Sequence, residues 1–154
     1  MINKQKYYQG FFRPKNIKKY KGDFTNIVYR SSWELKTMMY MDTNPYVIEW
    51  KSEEIFIPYI SPKDNCVHRY FPDFWMKVQT KTGLKTFLVE VKPECQIQPP
   101  KKRKKVTQRY LNEVMTFSIN QAKWQAADTY CKKMGWEFTT LNEYEIGVKK
   151  TPIT

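Results

Sequence analysis

The sequence predicts a mixed β-sheet flanked by helices, an α/β or α+β architecture, on three observations. Two apolar-rich runs, Arg69-Tyr70-Phe71-Pro72-Asp73-Phe74 and Phe87-Leu88-Val89-Glu90-Val91-Lys92, flank the glycine-containing turn Lys81-Thr82-Gly83, which reads as a β-hairpin. Around it, strand-like and helix-like segments follow in the order α-β-β-β-β-α-α-β. The chain has 154 residues, enough for one domain with a real core, and no internal repeat is present.

Taken in order, the first 22 residues hold seven Lys or Arg and no acid, with Tyr7, Tyr8, Phe11, Phe12 and Tyr20 interleaved. So few aliphatic residues build no core, and the division expected is a basic aromatic arm or wrapping segment, 1–22, before a single domain, 23–154. Lys18, Lys19 and Lys21 are candidate phosphate contacts, and the aromatic faces either stack on bases or dock on the domain. Ser31 and Ser32 are N-cap candidates for a helix reaching about Met41 and stopped by Asp42-Thr43-Asn44-Pro45. On it Glu34, Leu35, Met38 and Met41 share one stripe, which turns Glu34 inward with the methionines. A buried carboxylate is costly unless paired or metal-bound, so Glu34 is either a site residue or a cap on its own first turn.

Tyr46–Trp50 and Ile55–Ile60 read as strands before the hairpin, which Pro93 ends. Pro99-Pro100 then precede Lys101-Lys102-Arg103-Lys104-Lys105. Two helices are expected next, Val106–Phe117 and one opened by a Ser118/Gln121 capping box that stops before Gly135. A last strand, Trp136–Thr140, and a short helix, Leu141–Ile146, opened by a Thr140/Glu143 box, complete the expected elements.

Composition narrows the function. A net charge of +12 predicts a polyanionic partner, and DNA bound through its backbone phosphates is the first candidate. No apolar run of about eighteen residues occurs, and Lys4 and Lys6 precede no apolar signal segment, so neither a membrane-spanning nor a secreted protein is expected. Cys66, Cys95 and Cys131 are odd in number and widely spaced, which favours a reducing compartment over a disulfide framework. His68 is the single histidine, so schemes needing several imidazoles are out, and Cys66-x-His68 reads as structural.

The chemistry lies in the hairpin. Asp73 and Glu90 sit almost symmetrically about Lys81-Thr82, so the simplest register sets them opposite one another. Glu90 and Lys92 share a strand face, while Phe87, Val89 and Val91 take the other. Two carboxylates and a lysine suit a hard cation such as Mg²⁺, with Mn²⁺ as substitute, and Asp73, Glu90 and the Val91 carbonyl could supply its protein oxygens. Lys92 could orient or deprotonate a water and meet negative charge developing on a phosphate. The competing reading is a cross-strand salt bridge on a solvated face.

Pro72-Asp73 followed by Glu90-x-Lys92, with a helix bearing Glu34 upstream, resembles the PD-(D/E)xK nuclease superfamily. Arg30-Ser31-Ser32-Trp33-Glu34 and His68-Arg69-Tyr70-Phe71-Pro72-Asp73-Phe74 resemble its branch containing the TnsA transposon endonuclease. Phe12-Arg13-Pro14, Lys19-Tyr20-Lys21-Gly22-Asp23, Val47-Ile48-Glu49-Trp50, Ile57-Pro58-Tyr59 and Glu90-Val91-Lys92-Pro93 are similar to head completion nucleases of T-even-type tailed phages. The resemblance implies a restriction-endonuclease-like fold, with Glu34 the helix-borne acid, Asp73 and Glu90 the metal holders and Lys92 the catalytic lysine. Some relatives carry Gln where Glu90 stands, so the acid here is consistent with an active metal site. Many superfamily members add a polar residue from the next helix, for which Gln121 and Lys123 are candidates. The resemblance further implies phage head or portal and neck proteins as partners, in the host bacterial cytoplasm or on the virion. Nuclear import has no place there, which leaves the 101–105 run as a DNA-backbone contact or a solvated loop. Two rival functions remain open, a structural DNA-binding head protein with an idle site and a TnsA-like transposase subunit.

Overall fold

The computed structural model describes residues 9–147. Eight strands and three helices follow in chain order: β1 Gly10–Phe12, β2 Ile27–Tyr29, α1 Ser32–Thr43, β3 Val47–Ser52, β4 Ile57–Ile60, β5 Val67–Tyr70, β6 Phe74–Thr80, β7 Gly83–Val91, α2 Glu94–Ile97, α3 Gln108–Met134 and β8 Glu137–Leu141. The central sheet runs β3-β6-β7-β8, with β3, β6 and β7 antiparallel and β8 parallel to β7. That is the mixed sheet expected, in the α+β, restriction-endonuclease-like class. No helix among the described residues is long and apolar enough to cross a membrane.

Two cores form because side chains alternate across β7. Val89 faces Met38 and Met41 of α1, with Val47, Trp50 and Phe74. Leu88 faces Trp124, Ala127 and Cys131 of α3, with Ile57, Tyr59 and Tyr70. The sheet is thus covered by α1 on one side and by α3 with the β4–β5 ribbon on the other. Helix α1 starts where the sequence suggests, since the Ser31 hydroxyl accepts the Glu34 N–H at 3.0 Å. The β6–β7 hairpin turns within the expected Lys81-Thr82-Gly83 stretch, with Thr80 paired to Gly83, and Gly83 at φ 127° takes a backbone conformation that side chains disfavour.

Four expectations differ from the structure. Residues 10–22 are built into the domain rather than standing apart as an arm. β1 pairs with β2, Phe12 and Tyr20 are core residues, and Tyr20 packs edge-on against the fully buried Trp50 at 4.7 Å. Asp42, buried at the end of α1, fixes this segment by accepting the Lys15 and Asn16 amides at 2.9 and 3.1 Å. Tyr7, Tyr8, Lys4 and Lys6 lie outside the described residues.

The run 69–74 is not one strand. It breaks at Pro72, which has no N–H for a ladder, so β5 pairs with β4 in a separate ribbon and β6 enters the main sheet. The two helices expected over 106–134 are one, α3, with 27 residues. Ser118 caps nothing; its hydroxyl donates to the Val114 carbonyl one turn back, the bond that a serine within a helix makes. Gly135 does end the helix, in the left-handed conformation at φ 72°. Finally, 143–147 is a turn and not a helix. Its cap is Asn142, whose side chain accepts the Tyr144 and Glu145 amides, rather than Thr140.

Candidate active site

Extending the β6–β7 register by one pair beyond Phe74↔Val89 sets Asp73 opposite Glu90. Opposed residues of an antiparallel pair share a face, so both carboxyls lie on the α3 side with Leu88. Asp73 is held there because its Oδ2 accepts the Val91 N–H at 2.8 Å. In a strand the amide and carbonyl of one residue point to the same neighbour, so the Val91 carbonyl also faces Asp73. On the other edge the Lys92 N–H donates to Leu141 of β8. Three consecutive residues, Glu90, Val91 and Lys92, thus present a carboxylate, a carbonyl and an ammonium at the end of the sheet.

Glu90 is 7% exposed, and its Oε2 accepts the Tyr70 hydroxyl at 2.7 Å. The Lys92 ammonium lies 3.7 Å from Glu90 Oε1. Glu90 is buried and the Lys92 side chain 30% exposed, so this ion pair stands at the border of the interior rather than on a fully solvated face. Burial, then the charge of Glu90, pushes the Asp73 carboxyl well above its ordinary value, and the Val91 amide opposes the rise. Burial raises Glu90 too, against the Tyr70 hydrogen bond and the charges of Lys92 and Lys123. Two mutually repelling acids, Glu90 buried and Asp73 half-buried, are an expensive arrangement for a fold to keep without a cation.

Glu34 reaches the same region from α1. Burial raises its pKa, while the Arg30 N–H, bonded to Oε2 at 2.9 Å, and the Lys92 charge oppose the rise. Its charge also acts on Asp73. Glu34 thus accepts the Arg30 N–H just before its helix with one oxygen, and its charge bears on Asp73.

Of the accessory candidates, Lys123 sits beside the site and Gln121 is exposed on α3. The Lys123 ammonium lies 5.7 Å from the Tyr70 ring and 5.8 Å from the Tyr59 ring, within cation–π range, and its charge acts on Glu90. The basic run Lys101, Lys102, Arg103, Lys104 and Lys105 is exposed coil, with Arg103 3.7 Å from Glu113. Lys18 is exposed, Lys19 donates to the Asn44 carbonyl at 2.6 Å and Lys21 pairs with Glu49 at 3.4 Å. His68 and Cys66 are occupied by a local turn on Asp64, as the sequence suggested, and the three cysteines are unpaired.

Sequence reasoning missed Tyr70, Arg30 and Glu53. Tyr70 belongs to the Tyr-Phe-Pro-Asp stretch, but its hydroxyl meets Glu90 only through the break at Pro72. Arg30 clamps both Glu53 oxygens at 2.6 Å, and the Glu53 N–H donates to the Asp73 carbonyl at 3.1 Å. Glu53 holds a left-handed backbone at φ 50°, for which its sequence carries no signal.

The donor set suits Mg²⁺ better than zinc. Among the described residues no three Asp, Glu, His or Cys side chains gather as a metal cage. Mg²⁺ takes one or two carboxylates and fills its remaining positions with water and phosphate oxygen, and each acid here keeps an oxygen free of its neutral hydrogen-bond donor.

A mixed sheet with paired acids and a lysine at its end defines a nuclease-type domain, and the comparisons agree. Residues 44–143 match the model of the TnsA-like endonuclease N-terminal domain, and the chain belongs to that family. It is also 41% identical, over 140 residues, to the head completion nuclease of Enterobacteria phage T4, covering 88% of this chain and 91% of that relative.

Proposed function

We propose that the chain is a metal-dependent DNA endonuclease that cuts or trims phage DNA as heads are completed, with Mg²⁺, or Mn²⁺ in its place. The observation that carries this reading is the pairing of half-buried Asp73 with buried Glu90, with the Val91 amide on one acid and Lys92 on the other. Asp73, Glu90 and the Val91 carbonyl would hold the metal. When bound, the ion supplies Lewis-acid polarisation of the scissile phosphate and an acidified water.

The chain's own residues do the rest. Lys92, an ammonium beside Glu90, orients the attacking water and faces the charge gathering on the phosphate, while the water's proton passes to solvent. Glu34, with Oε2 committed to the Arg30 amide, has its other oxygen to order a water beside Asp73. Tyr70 fixes the Glu90 carboxylate, and Lys123 balances its charge from α3. Lys101–Lys105, with Lys18, Lys19 and Lys21, contribute backbone affinity rather than chemistry. Head, portal or neck proteins are the assembly partners this role requires, met in the host cytoplasm or on the virion.

Incubation with supercoiled plasmid and linear DNA tests the reading. Products should appear with Mg²⁺ or Mn²⁺ and vanish with chelator. Tight DNA binding without any divalent-dependent cleavage would instead identify a structural head protein with an idle site.

A further inference from the structure

Arg30 stands between β2 and the Ser31 cap of α1, and its bonds lead to the site by two routes. Its backbone N–H donates to Glu34 Oε2 at 2.9 Å, and its guanidinium lies 2.6 Å from each carboxylate oxygen of Glu53. Glu53 follows the Ser52–Phe74 pair at the end of the β3–β6 ladder, and its N–H donates to the Asp73 carbonyl. Glu34 and Asp73, which come from different elements, are thus tied to one arginine, directly and through Glu53. The charge of Arg30 acts on Glu34 together with that of Lys92, and Asp73 acts on Arg30 in turn. Arg30 is a second cation beside these acids.

Stability alone does not account for the arrangement. The Arg30 side chain is 55% exposed and that of Glu53 35%, and an ion pair so open to water is worth little. Glu53 nevertheless holds a left-handed backbone at φ 50°, which costs a residue with a side chain more than such a pair contributes. Strained residues of this kind gather at functional sites. Both Glu53 oxygens sit on a single guanidinium nitrogen, Nη1. The opposite edge, Nη2 with Nε, donates to no protein group among the described residues. That edge is a fork of two parallel donors, the geometry that fits two oxygens of a phosphate.

We propose that Arg30 binds a DNA phosphate next to the scissile one through its Nε–Nη2 edge, with Glu53 holding the guanidinium in place. The inference rests on the nuclease reading above for the place of that phosphate, but its binding test stands apart from cleavage. On that reading the scissile phosphate engages the metal and Lys92. A contact one phosphate away fixes the register of the strand over the acids, which is what backbone contacts supply.

Fluorescence anisotropy in chelator, on a short blunt DNA duplex over a range of salt, compares the full chain with Arg30→Met, Glu53→Gln and the double variant. Arg30→Met should weaken binding several-fold and flatten the dependence of log affinity on log salt by about 0.9, the loss of one phosphate contact. Glu53→Gln should tighten binding several-fold, because it frees Arg30 of a competing charge while its amide oxygen still accepts a bond. In the double variant that gain should vanish, since it acts through Arg30. If Arg30→Met fails to fold, as judged by circular dichroism, Arg30→Lys carries the test. It keeps the charge without the fork, so the salt slope should hold while affinity falls.

A wild-type slope and affinity in folded Arg30→Met overturns the proposal, as does wild-type affinity in Arg30→Lys. Equal weakening by Arg30→Met and Glu53→Gln would make the pair a structural brace and overturn it too. So would a Glu53→Gln gain that survives in the double variant, because loss of an acid near the DNA would then explain it without Arg30. The predicted pattern in a protein that cuts no plasmid with Mg²⁺ would keep Arg30 as a phosphate contact and sink the nuclease reading. Cleavage by the wild type with an unchanged slope in Arg30→Met would do the reverse.

Discussion

The hydroxyl of Tyr70 donates to Glu90 Oε2 at 2.7 Å in the interior, joining the last residue of β5 to the buried acid of β7. Tyr70 is 4% exposed, and burial, with the charge of Glu90 beside it, drives its pKa far upward, so it remains a donor. One Glu90 oxygen is thereby committed, leaving Oε1 toward Lys92. Tyr70→Phe should keep the fold and weaken metal affinity, since removing partners that orient metal ligands costs about 10–100-fold. The concentration of Mg²⁺ giving half-maximal cleavage should rise accordingly. An unchanged half-maximum would show that Tyr70 serves packing alone.

The acid pair has a signature in stability without metal. Asp73 is raised well above 3.8 and Glu90 above 4.5, so the folded protein retains protons that the unfolded chain has already released. Below 3.8 both states are protonated and the pair carries no penalty. As pH rises from 3.8 through the raised folded values, stability falls. Asp73→Asn removes one ionisation while its oxygen can still accept the Val91 amide. In chelator near pH 7 it should melt higher than the wild type, by roughly 2–4 °C for each kcal/mol regained. The difference should shrink in acid, and a variant that melts lower at every pH would contradict the electrostatic account.

Residues 10–22 are part of the fold. Tyr20 is 7% exposed, packs edge-on against Trp50 and accepts the Ser52 amide at 3.3 Å. Tyr20→Ala should cost about 3–5 kcal/mol in urea unfolding, the scale of large aromatic truncations in a core. A loss under about 1 kcal/mol would restore the detachable arm that the charge pattern suggested.

Local physics is visible in this sequence, and long-range pairing is not. Asp73 and Glu90 could be paired in advance because a two-residue turn fixes the register of everything beyond it. α1 was legible because Ser31 caps it and Met38 and Met41 repeat on one stripe. Interactions between distant segments were hidden. Three-residue strands β1 and β2 exist because they pair with each other and because Asp42 and Trp50 receive their neighbours, and none of this shows as periodicity. Ser118 and Gln121 mimic a cap locally, yet burial of Trp124, Ala127 and Cys131 favours carrying one helix across the site. Of the candidate site, the nearness of Asp73, Glu90, Lys92 and Glu34 was legible through spacing and resemblance. Tyr70 and the Arg30–Glu53 clamp were not, since they arise from the break at Pro72 and a left-handed residue at 53.

The basic run should act on affinity alone. Neutralising Lys101, Lys102, Arg103, Lys104 and Lys105 together should flatten the dependence of log affinity on log salt by about 0.9 for each duplex phosphate that these side chains neutralise. The Michaelis constant should rise while turnover at saturating DNA stays near the wild-type value. A salt slope identical to the wild type would reduce the run to a solvated loop.

The central claim, that Asp73 and Glu90 hold a divalent ion which Lys92 assists, is tested most directly by pairing Mn²⁺ calorimetry with plasmid cleavage for three variants. Asp73→Ala and Glu90→Ala should lose both the bound ion and the cleavage while staying folded. Lys92→Ala should keep much of the metal affinity and lose turnover by about 10²–10³-fold, the range for one missing donor to the developing charge. Wild-type cleavage by folded Asp73→Ala and Glu90→Ala would contradict the claim outright.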